Sequence, residues 1–174
     1  SPRSELLIVS PYFVPGEGGV EQLRTLAARG VRVTVVTNSL AATDVPAVHA
    51  GYARYRAALL RAGVEIFEVR ADAVGRRPTR TRAGSSRVSL HAKLMVVDRS
   101  RTFVGSMNID PRSLRLNTEN GVVVDSAELA EEFVQGVRRD LPRDAWRVHL
   151  DGSALRWTGL QDGAEVALAS EPQA

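Results

Sequence analysis

The chain has 174 residues, 44% hydrophobic and 25% charged, which predicts a single folded domain and excludes general disorder. Cysteine is absent, which excludes disulfides, thiolate metal sites and a cysteine nucleophile. The net charge is only +3, and no apolar run is long enough to cross a bilayer. The chain begins at Ser1 without the layout of a signal peptide. We therefore expect a segment of a longer polypeptide, with any targeting signal or membrane anchor elsewhere.

Strand and helix signals alternate along the first half of the chain. Strands are predicted at residues 6–9, 31–36 and 64–69, where β-branched and other apolar residues cluster. Two helices are predicted between them from apolar residues at helical spacing: Val20, Leu23, Leu26 and Ala27 before Gly30, then Val48, Tyr52, Tyr55 and Leu59 before Gly63. This β-α-β-α-β run predicts an α/β fold with a mixed, largely parallel β-sheet flanked by helices.

The second half begins with an arginine-rich stretch, residues 70–87, which we interpret as an exposed basic loop. Such a loop either attracts anionic headgroups or nucleic acid, or is simply solvated. Strands are predicted next at 88–98, 102–106 and 121–124, and a helix over Leu129, Phe133 and Val137 that has Arg138 and Arg139 in its last turn. Short strands are predicted between residues 146 and 166. The simplest organisation is one domain, residues 1–174.

Lys93 is the only lysine among 23 basic residues, and the other 22 are arginine. Where arginine is used almost everywhere for positive charge, a retained lysine suggests a position that needs a compact ammonium group on a flexible stem. Chance is the alternative explanation. The residues near Lys93 favour a functional role.

Polar residues with chemical potential cluster in the predicted strands around this lysine. His91 and Lys93 are two apart, so a strand would project both from one face. Ser106 and Asn108 lie at the end of the next predicted strand, and Glu119 precedes a third. Three neighbouring strands could thus bring a nucleophile, a cation, two neutral donors and a carboxylate together.

That set suits cleavage of a phosphodiester. A neutral imidazole can attack phosphorus at neutral pH, and Glu119 could fix the tautomer of His91 by binding its other ring nitrogen. Lys93, Ser106 and Asn108 could hold the non-bridging oxygens through the transition state. This chemistry requires no metal and no cofactor, and no cluster of ligand residues suggests one.

The spacing H-x-K-x4-D-x6-G-S-x-N resembles the signature of the phospholipase D superfamily, the HKD motif. It is filled here by His91, Lys93, Asp98, Gly105-Ser106 and Asn108. The resemblance implies a phospholipase D half-domain and two displacements through a phosphohistidine, with a second histidine from another motif copy as acid and base. It also implies a chiefly structural or orienting role for Asp98. In a C-terminal half His91 would be the acid and base, whereas in a symmetric dimer it could act in either role.

Further segments resemble the C-terminal half of bacterial cardiolipin synthases of the phospholipase D type, most closely the C subtype. They are Ser10 to Gly16 (SPYFVPG), Thr37 to Asp44 (TNSLAATD), His49-x-Gly51-Tyr52, Asp110-Pro-Arg-Ser113 and Leu116-Asn-Thr-Glu119. This resemblance implies phosphatidyl transfer to an alcohol on another phospholipid. It implies an anionic phospholipid substrate, a second HKD half, and a peripheral position on the cytoplasmic side of the bacterial inner membrane. Only one motif is present, so we expect the isolated chain to be inactive.

Several alternatives stay open at this point. The protein could be a homodimeric phosphodiesterase or nuclease of the same superfamily, or a catalytically silent lobe that docks on membranes. Ser106 and Asn108 could be turn residues, and Glu119 a solvated surface acid. His49 is more simply a packing or surface histidine, although it could contribute to acceptor binding together with Tyr52.

Overall fold

A computed structural model describes residues 1–73, 90–161 and 163–173, without the side chains of residues 114 and 115. In chain order the elements are β1 (Glu5–Val9), α1 (Gly16–Ala28), β2 (Arg32–Asn38), α2 (Pro46–Arg61), β3 (Glu65–Val69), β4 (Leu94–Val97), β5 (Arg101–Gly105), α3 (Pro111–Arg115), β6 (Gly121–Asp125), α4 (Ala127–Asp144), β7 (Ala145–Asp151), β8 (Ala154–Gln161) and β9 (Ala164–Leu168). None of the helices in these ranges is long and apolar enough to span a bilayer.

The described strands form one sheet in the order β6-β5-β4-β1-β2-β3-β7-β8-β9. The prediction of a mixed sheet flanked by helices is confirmed. Fewer strands pair in parallel than the sequence suggested. Among the described strands, only β1 with β2 and β2 with β3 are parallel pairs. The remaining pairings between these strands are antiparallel, since each of them is reached by a hairpin or by a connection that reverses the chain.

The core lies on both faces of the sheet, which explains why every residue of β1 is buried. On one face, α1 and α2 cover a cluster that includes Val35, Leu59 and Ile66. On the other face, α4 packs Ala130 and Val134 against β1, β2 and β4. β1 and β2 are therefore fixed from both sides, and their carboxyl ends provide a rigid edge.

Two element boundaries and one short helix differ from the predictions. The predicted strand 88–98 is observed only as β4, and residues 88 and 89 lie outside the described residues. It begins at Leu94 because that residue pairs with Val9, the last residue of β1, and the segment before it keeps a backbone hydrogen bond to Gly105 at the end of β5. The short helix α3 was not predicted; the Asp110 side chain caps it by accepting from the backbone of Arg112 and Ser113. Helix α4 continues past Pro142 to Asp144.

The predicted basic loop 70–87 falls outside the described residues from position 74 onward. Within its described beginning, Arg70 is buried. Its guanidinium lies over the ring of Trp146, 4.5 Å from the centroid, and forms an ion pair with Asp72 at 2.6 Å. Arg70 is thus part of the packing under β7 and does not belong to an exposed basic surface.

Two glycines shape the edge of the sheet beside the predicted site. Gly105 and Gly121 are cross-strand partners in β5 and β6. The ring of Phe103 lies against both, so closely that a Cβ at either position would overlap it. Only glycine leaves room for this ring, which explains a glycine directly before Ser106.

Candidate active site

Five loops meet at one edge of the sheet, at the carboxyl ends of β1 and β2. They are residues 10–15 after β1, 39–45 after β2, 90–93 before β4, 106–110 after β5 and 117–120 before β6. In sheets with parallel strands this edge is the usual place for ligand binding, because backbone there is free to form loops around a ligand. Of the six predicted site residues, this edge gathers His91, Lys93, Ser106, Asn108 and Glu119.

His91 and Lys93 occupy the segment just before β4. The prediction that a strand holds both is therefore wrong, because β4 begins one residue after Lys93. The backbone oxygen of Lys93 still accepts from Gly105 N at 3.2 Å, which attaches the segment to β5. The side chain of Lys93 is half-buried and donates from Nζ to the backbone oxygen of His91 at 3.0 Å. His91 is exposed, so its imidazole is accessible to a substrate.

Asn38 fixes this segment, and sequence reasoning did not identify it. It is the last residue of β2 and is 2% exposed. Its Oδ1 accepts from Leu90 N at 2.8 Å and its Nδ2 donates to Leu90 O at 3.2 Å. A buried side-chain amide that binds both backbone groups of one residue holds that residue as a neighbouring strand would. Asn38 thereby fixes the residue directly before His91. The only sequence signal is a polar residue at the end of a buried strand.

Ser106 and Glu119 form a hydrogen-bonded unit at the ends of β5 and β6. Ser106 Oγ donates to Glu119 Oε2 at 2.5 Å, and Asn117 Nδ2 donates to Glu119 Oε1 at 3.2 Å. Ser106 Oγ also accepts from Asn120 N at 3.0 Å. Hydrogen bonds from Ser106, then from Asn117, lower the pKa of Glu119, so it is ionised at neutral pH.

These contacts differ from the predicted role of Glu119. One of its oxygens accepts from Ser106 and the other from Asn117. No hydrogen bond joins Glu119 to His91 within the described part of the chain. The hydroxyl proton of Ser106 points at Glu119, so it is not available to a phosphate oxygen in this arrangement. Asn108 differs from Ser106, because its buried Oδ1 has no partner in the described ranges. A buried oxygen without a partner is unfavourable and requires a donor from a ligand, water or another chain.

The electrostatic environment of Lys93 combines burial with two carboxylates. Burial lowers the pKa of Lys93 below its usual value, while the charges of Glu119 and Asp44 raise it. Asp44 was not predicted as a site residue, although it closes the Thr37 to Asp44 segment of the family resemblance. The charges of two carboxylates therefore act on the one ammonium of the site.

Asp44 is bound by Tyr12, which was not predicted as a site residue although it lies in the Ser10 to Gly16 segment of the family resemblance. Tyr12 Oη donates to Asp44 Oδ1 at 2.7 Å. Burial, followed by the hydrogen bond to Asp44, raises the pKa of Tyr12 to about 12, so the phenol stays protonated. The Tyr12 loop is itself attached to the loop of Asn108, because Val14 N donates to Ile109 O at 2.6 Å.

Asp98 does not lie with the other motif residues. It follows the last residue of β4, whereas Lys93 precedes the first, so the length of the strand separates them. The Asp98 carboxylate accepts from the backbone N–H groups of Arg3, Ser4 and Glu5 at 2.8–3.1 Å. Its burial alone would raise the pKa of Asp98, but these N–H groups hold it far below the usual value. Asp98 therefore anchors the start of β1 at the opposite edge of the sheet.

His49 and Tyr52 belong to a buried polar cluster with Arg56, Glu68 and Glu171. Arg56 Nε lies 3.1 Å from Glu68 Oε1, and Tyr52 Oη donates to the same carboxylate at 2.9 Å. Glu171 Oε1 lies 2.5 Å from His49 Nε2 and accepts from Arg56 Nη2 at 2.6 Å. Both His49 and Tyr52 are buried, which is consistent with the packing interpretation of His49.

Similar sequences and similar solved structures identify the family of this chain. Residues 1–141 match the family model "Cardiolipin synthase, PLD-like domain". The chain is 41% identical to cardiolipin synthase C of Escherichia coli K12 over 182 residues, covering 99% of this chain and 37% of that protein. It is 35% identical to cardiolipin synthase B of the same organism over 122 residues, covering 70% of this chain and 25% of that protein. The chain thus spans well under half the length of these curated relatives.

Solved structures show the same fold at low sequence identity. Nuc of Salmonella typhimurium, a phospholipase D family member, superimposes with a TM-score of 0.64 at 18% identity and covers 86% of this chain and 85% of its own. The phosphatidylserine synthase of Haemophilus influenzae Rd KW20 superimposes with a TM-score of 0.60 at 18% identity, covering 84% of this chain and 34% of its own. Together with the family model, these similarities show that the chain belongs to the phospholipase D-like domain family of the cardiolipin synthases.

Proposed function

We propose that this chain supplies one of two catalytic half-sites of an enzyme that transfers a phosphatidyl group to an alcohol in cardiolipin synthesis. The main support is the placement of an exposed His91 and the half-buried Lys93 two residues apart at the same sheet edge, where Lys93 Nζ donates to the backbone oxygen of His91. The names of the relatives give the substrate class, since cardiolipin synthases act on phospholipids. The whole of residues 1–174 then serves as a single catalytic half-domain.

The proposed reaction proceeds in two displacements. An imidazole attacks the phosphorus of the donor phospholipid, an N–P bond forms, and the bond from phosphorus to the leaving headgroup oxygen breaks. The second imidazole gives its proton to that oxygen. It then takes a proton from the acceptor hydroxyl, whose oxygen forms a new P–O bond as the N–P bond breaks. Lys93 stabilises charge on the non-bridging oxygens in both steps. His91 is one of the two imidazoles.

A second motif must therefore come from outside the described residues, either from the same polypeptide or from another copy. An apolar surface beside the site is suited to receive it. Val104 and Leu116 are 44% and 80% exposed, and Val122 and Val123 on the edge strand β6 are 63% and 57% exposed. Val104 and Val122 are cross-strand partners on one face of this sheet edge, and exposed apolar side chains paired in this way are typical of an interface. Such an interface would place the second imidazole opposite His91.

The substrates lie in a bilayer, so the enzyme has to work at its surface. We place it at the cytoplasmic side of the bacterial inner membrane as a peripheral protein, in line with the bacterial relatives. Nucleic acid is a less suitable partner, because the net charge of +3 is small and the site holds two carboxylates beside Lys93.

The experiment is a transfer assay with the protein in its complete, two-motif assembly on phosphatidylglycerol vesicles, with cardiolipin measured by mass spectrometry. We expect His91→Ala to abolish product, because no nucleophile or acid remains in this half-site. His149→Ala is the matched control, since His149 lies half-buried on β7 away from this edge and should leave product formation unchanged.

The rival functions give different results in the same preparation. Cleavage of DNA without cardiolipin formation would show a phosphodiesterase or nuclease. Binding to anionic vesicles with no turnover on either substrate would show a silent docking lobe. If His91→Ala retained cardiolipin formation, the proposed site would be wrong.

A further inference from the structure

The pair Tyr12 and Asp44 has no task in the two displacements described above. Both residues lie in loops at the catalytic edge, one after β1 and one after β2. Asp44 is exposed, and its charge acts on Lys93, the proposed phosphate-binding cation. A carboxylate whose charge acts on Lys93 also repels an anionic phosphate bound there. Its presence therefore requires a reason other than phosphate binding.

Glu119 has both carboxylate oxygens engaged and Asp110 is buried as the cap of α3, whereas Asp44 is exposed and has one oxygen without a hydrogen bond from the described residues. Glu119 accepts from Ser106 and Asn117, and Asp110 accepts from the first backbone N–H groups of α3. Asp44 accepts one hydrogen bond, at Oδ1 from Tyr12. Its Oδ2 accepts none from the residues that the structure describes. One carboxylate oxygen at the catalytic edge is thus free to accept from a substrate.

Tyr12 gives this carboxylate a fixed position. The phenol donates at 2.7 Å and, with a pKa of about 12, remains a donor throughout the neutral range. Since Tyr12 is half-buried and its loop is attached at Ile109, the hydrogen bond restrains Asp44 against the site. The phenolic oxygen keeps lone pairs of its own. Two acceptor oxygens therefore stand side by side near Lys93.

We propose that Tyr12 and Asp44 bind the hydroxyl groups of a polyol headgroup and so determine which alcohol receives the phosphatidyl group. Adjacent acceptors match adjacent hydroxyl donors, such as the vicinal diol of a glycerol headgroup. Lys93 offsets only one of the two negative charges of Glu119 and Asp44, so a cationic headgroup is the competing ligand. This inference rests on the proposed function and names the acceptor specificity of the same site.

The test compares two acceptors in the complete two-motif enzyme. Phosphatidylglycerol offers both hydroxyls, whereas phosphatidyl-1,3-propanediol keeps the primary hydroxyl and lacks the secondary one. We expect the wild type to prefer phosphatidylglycerol in kcat/KM by about tenfold, the effect of one or two partly exposed hydrogen bonds. Asp44→Asn and Tyr12→Phe should reduce this ratio towards one, mainly through KM for the acceptor. Asp151→Asn, an exposed aspartate on β7, is the control and should keep the ratio.

The ratio is independent of the fraction of folded enzyme, because both acceptors are measured on one preparation. A wild type that prefers phosphatidylglycerol while both variants keep the full preference would overturn the proposal. A wild type without a preference between the two acceptors would also overturn it. The same holds if the variants lose turnover only when phosphatidylethanolamine is the donor, because the pair would then bind a cationic leaving headgroup. A wild type that makes no phosphatidyl-transfer product at all would instead reject the proposed function.

Discussion

Replacement of Asp98 by asparagine tests whether this motif residue acts in folding or in catalysis. The Asp98 carboxylate accepts from three backbone N–H groups and from Ser4 Oγ at the start of β1. Asparagine tolerates the positive φ of 50° at this position and keeps one acceptor oxygen, but it loses the charge and the second oxygen. The variant should therefore fold with the same structure and lower stability.

The magnitude follows from the hydrogen bonds. Charge-assisted bonds contribute about 1.5–3 kcal/mol each, but these lie near solvent, where water replaces part of what is lost. A helix cap, the nearest analogue, contributes about 0.5–2 kcal/mol. We expect Asp98→Asn to lower the free energy of unfolding by about 2 kcal/mol. In a protein of this size that lowers Tm by about 4–8 °C.

Urea and thermal unfolding at neutral pH provide the measurement, with Asp125→Asn as control. Asp125 makes an exposed ion pair with Arg101, so its replacement should cause no measurable change. The pKa of Asp98 is lower in the folded state, so its stabilisation is present above the ordinary value of 3.8 and is lost at more acid pH. The two stability curves should therefore converge in acid. Unchanged stability together with a loss of turnover would refute the structural role and return Asp98 to the chemistry.

Three further changes test the site and the buried cluster. Lys93→Arg should reduce turnover on the order of 10²-fold without loss of helicity by circular dichroism, because a planar guanidinium cannot replace a compact ammonium there; near-normal turnover would contradict this. Arg56→Met should cost about 3–5 kcal/mol in urea unfolding, because Glu68 stays buried without its cation, while Arg54→Met on the exposed face of the same helix should change little. Burial alone would raise the pKa of Glu171, but hydrogen bonds from His49 and Arg56 lower it to about 2. The stabilisation by Glu171 should therefore be full above pH 4.5 and fall as the pH drops towards 2. If Glu171→Gln lowered the free energy of unfolding equally at every pH, this prediction would be wrong.

Local sequence patterns were sufficient for the elements of the sheet and for the place of the site. Runs such as Val31 to Val36 are apolar enough to be buried on both faces, and Gly30 and Gly63 mark the ends of two helices. The spacing of His91, Lys93 and Ser106 indicated that neighbouring segments would bring them together, although it assigned His91 and Lys93 to a strand and they precede β4. These features depend on neighbours in the chain, which a sequence displays directly.

The errors arose where spacing along the sequence does not give the arrangement in three dimensions. Five residues of extended chain separate Lys93 from Asp98 by about 16 Å, so the motif cannot converge on one point although its letters are adjacent. The loop before β6 places the carboxylate of Glu119 beside Ser106, and no sequence pattern predicts the conformation of that loop. The support that Asn38 gives to Leu90 joins positions 52 residues apart.

The end of the family match at residue 141 is not the end of the folded unit. β7 pairs with β3, and Trp157 on β8 donates to the fully buried Glu68 at 2.8 Å. A chain cut at the limit of the family model would leave β3 as an open edge and Glu68 without that donor, although every motif residue would still be present. Expression of this half-domain as a separate piece therefore requires the strands through Leu168 as well. These strands carry none of the motif residues, but they stabilise the sheet on which the motif residues lie.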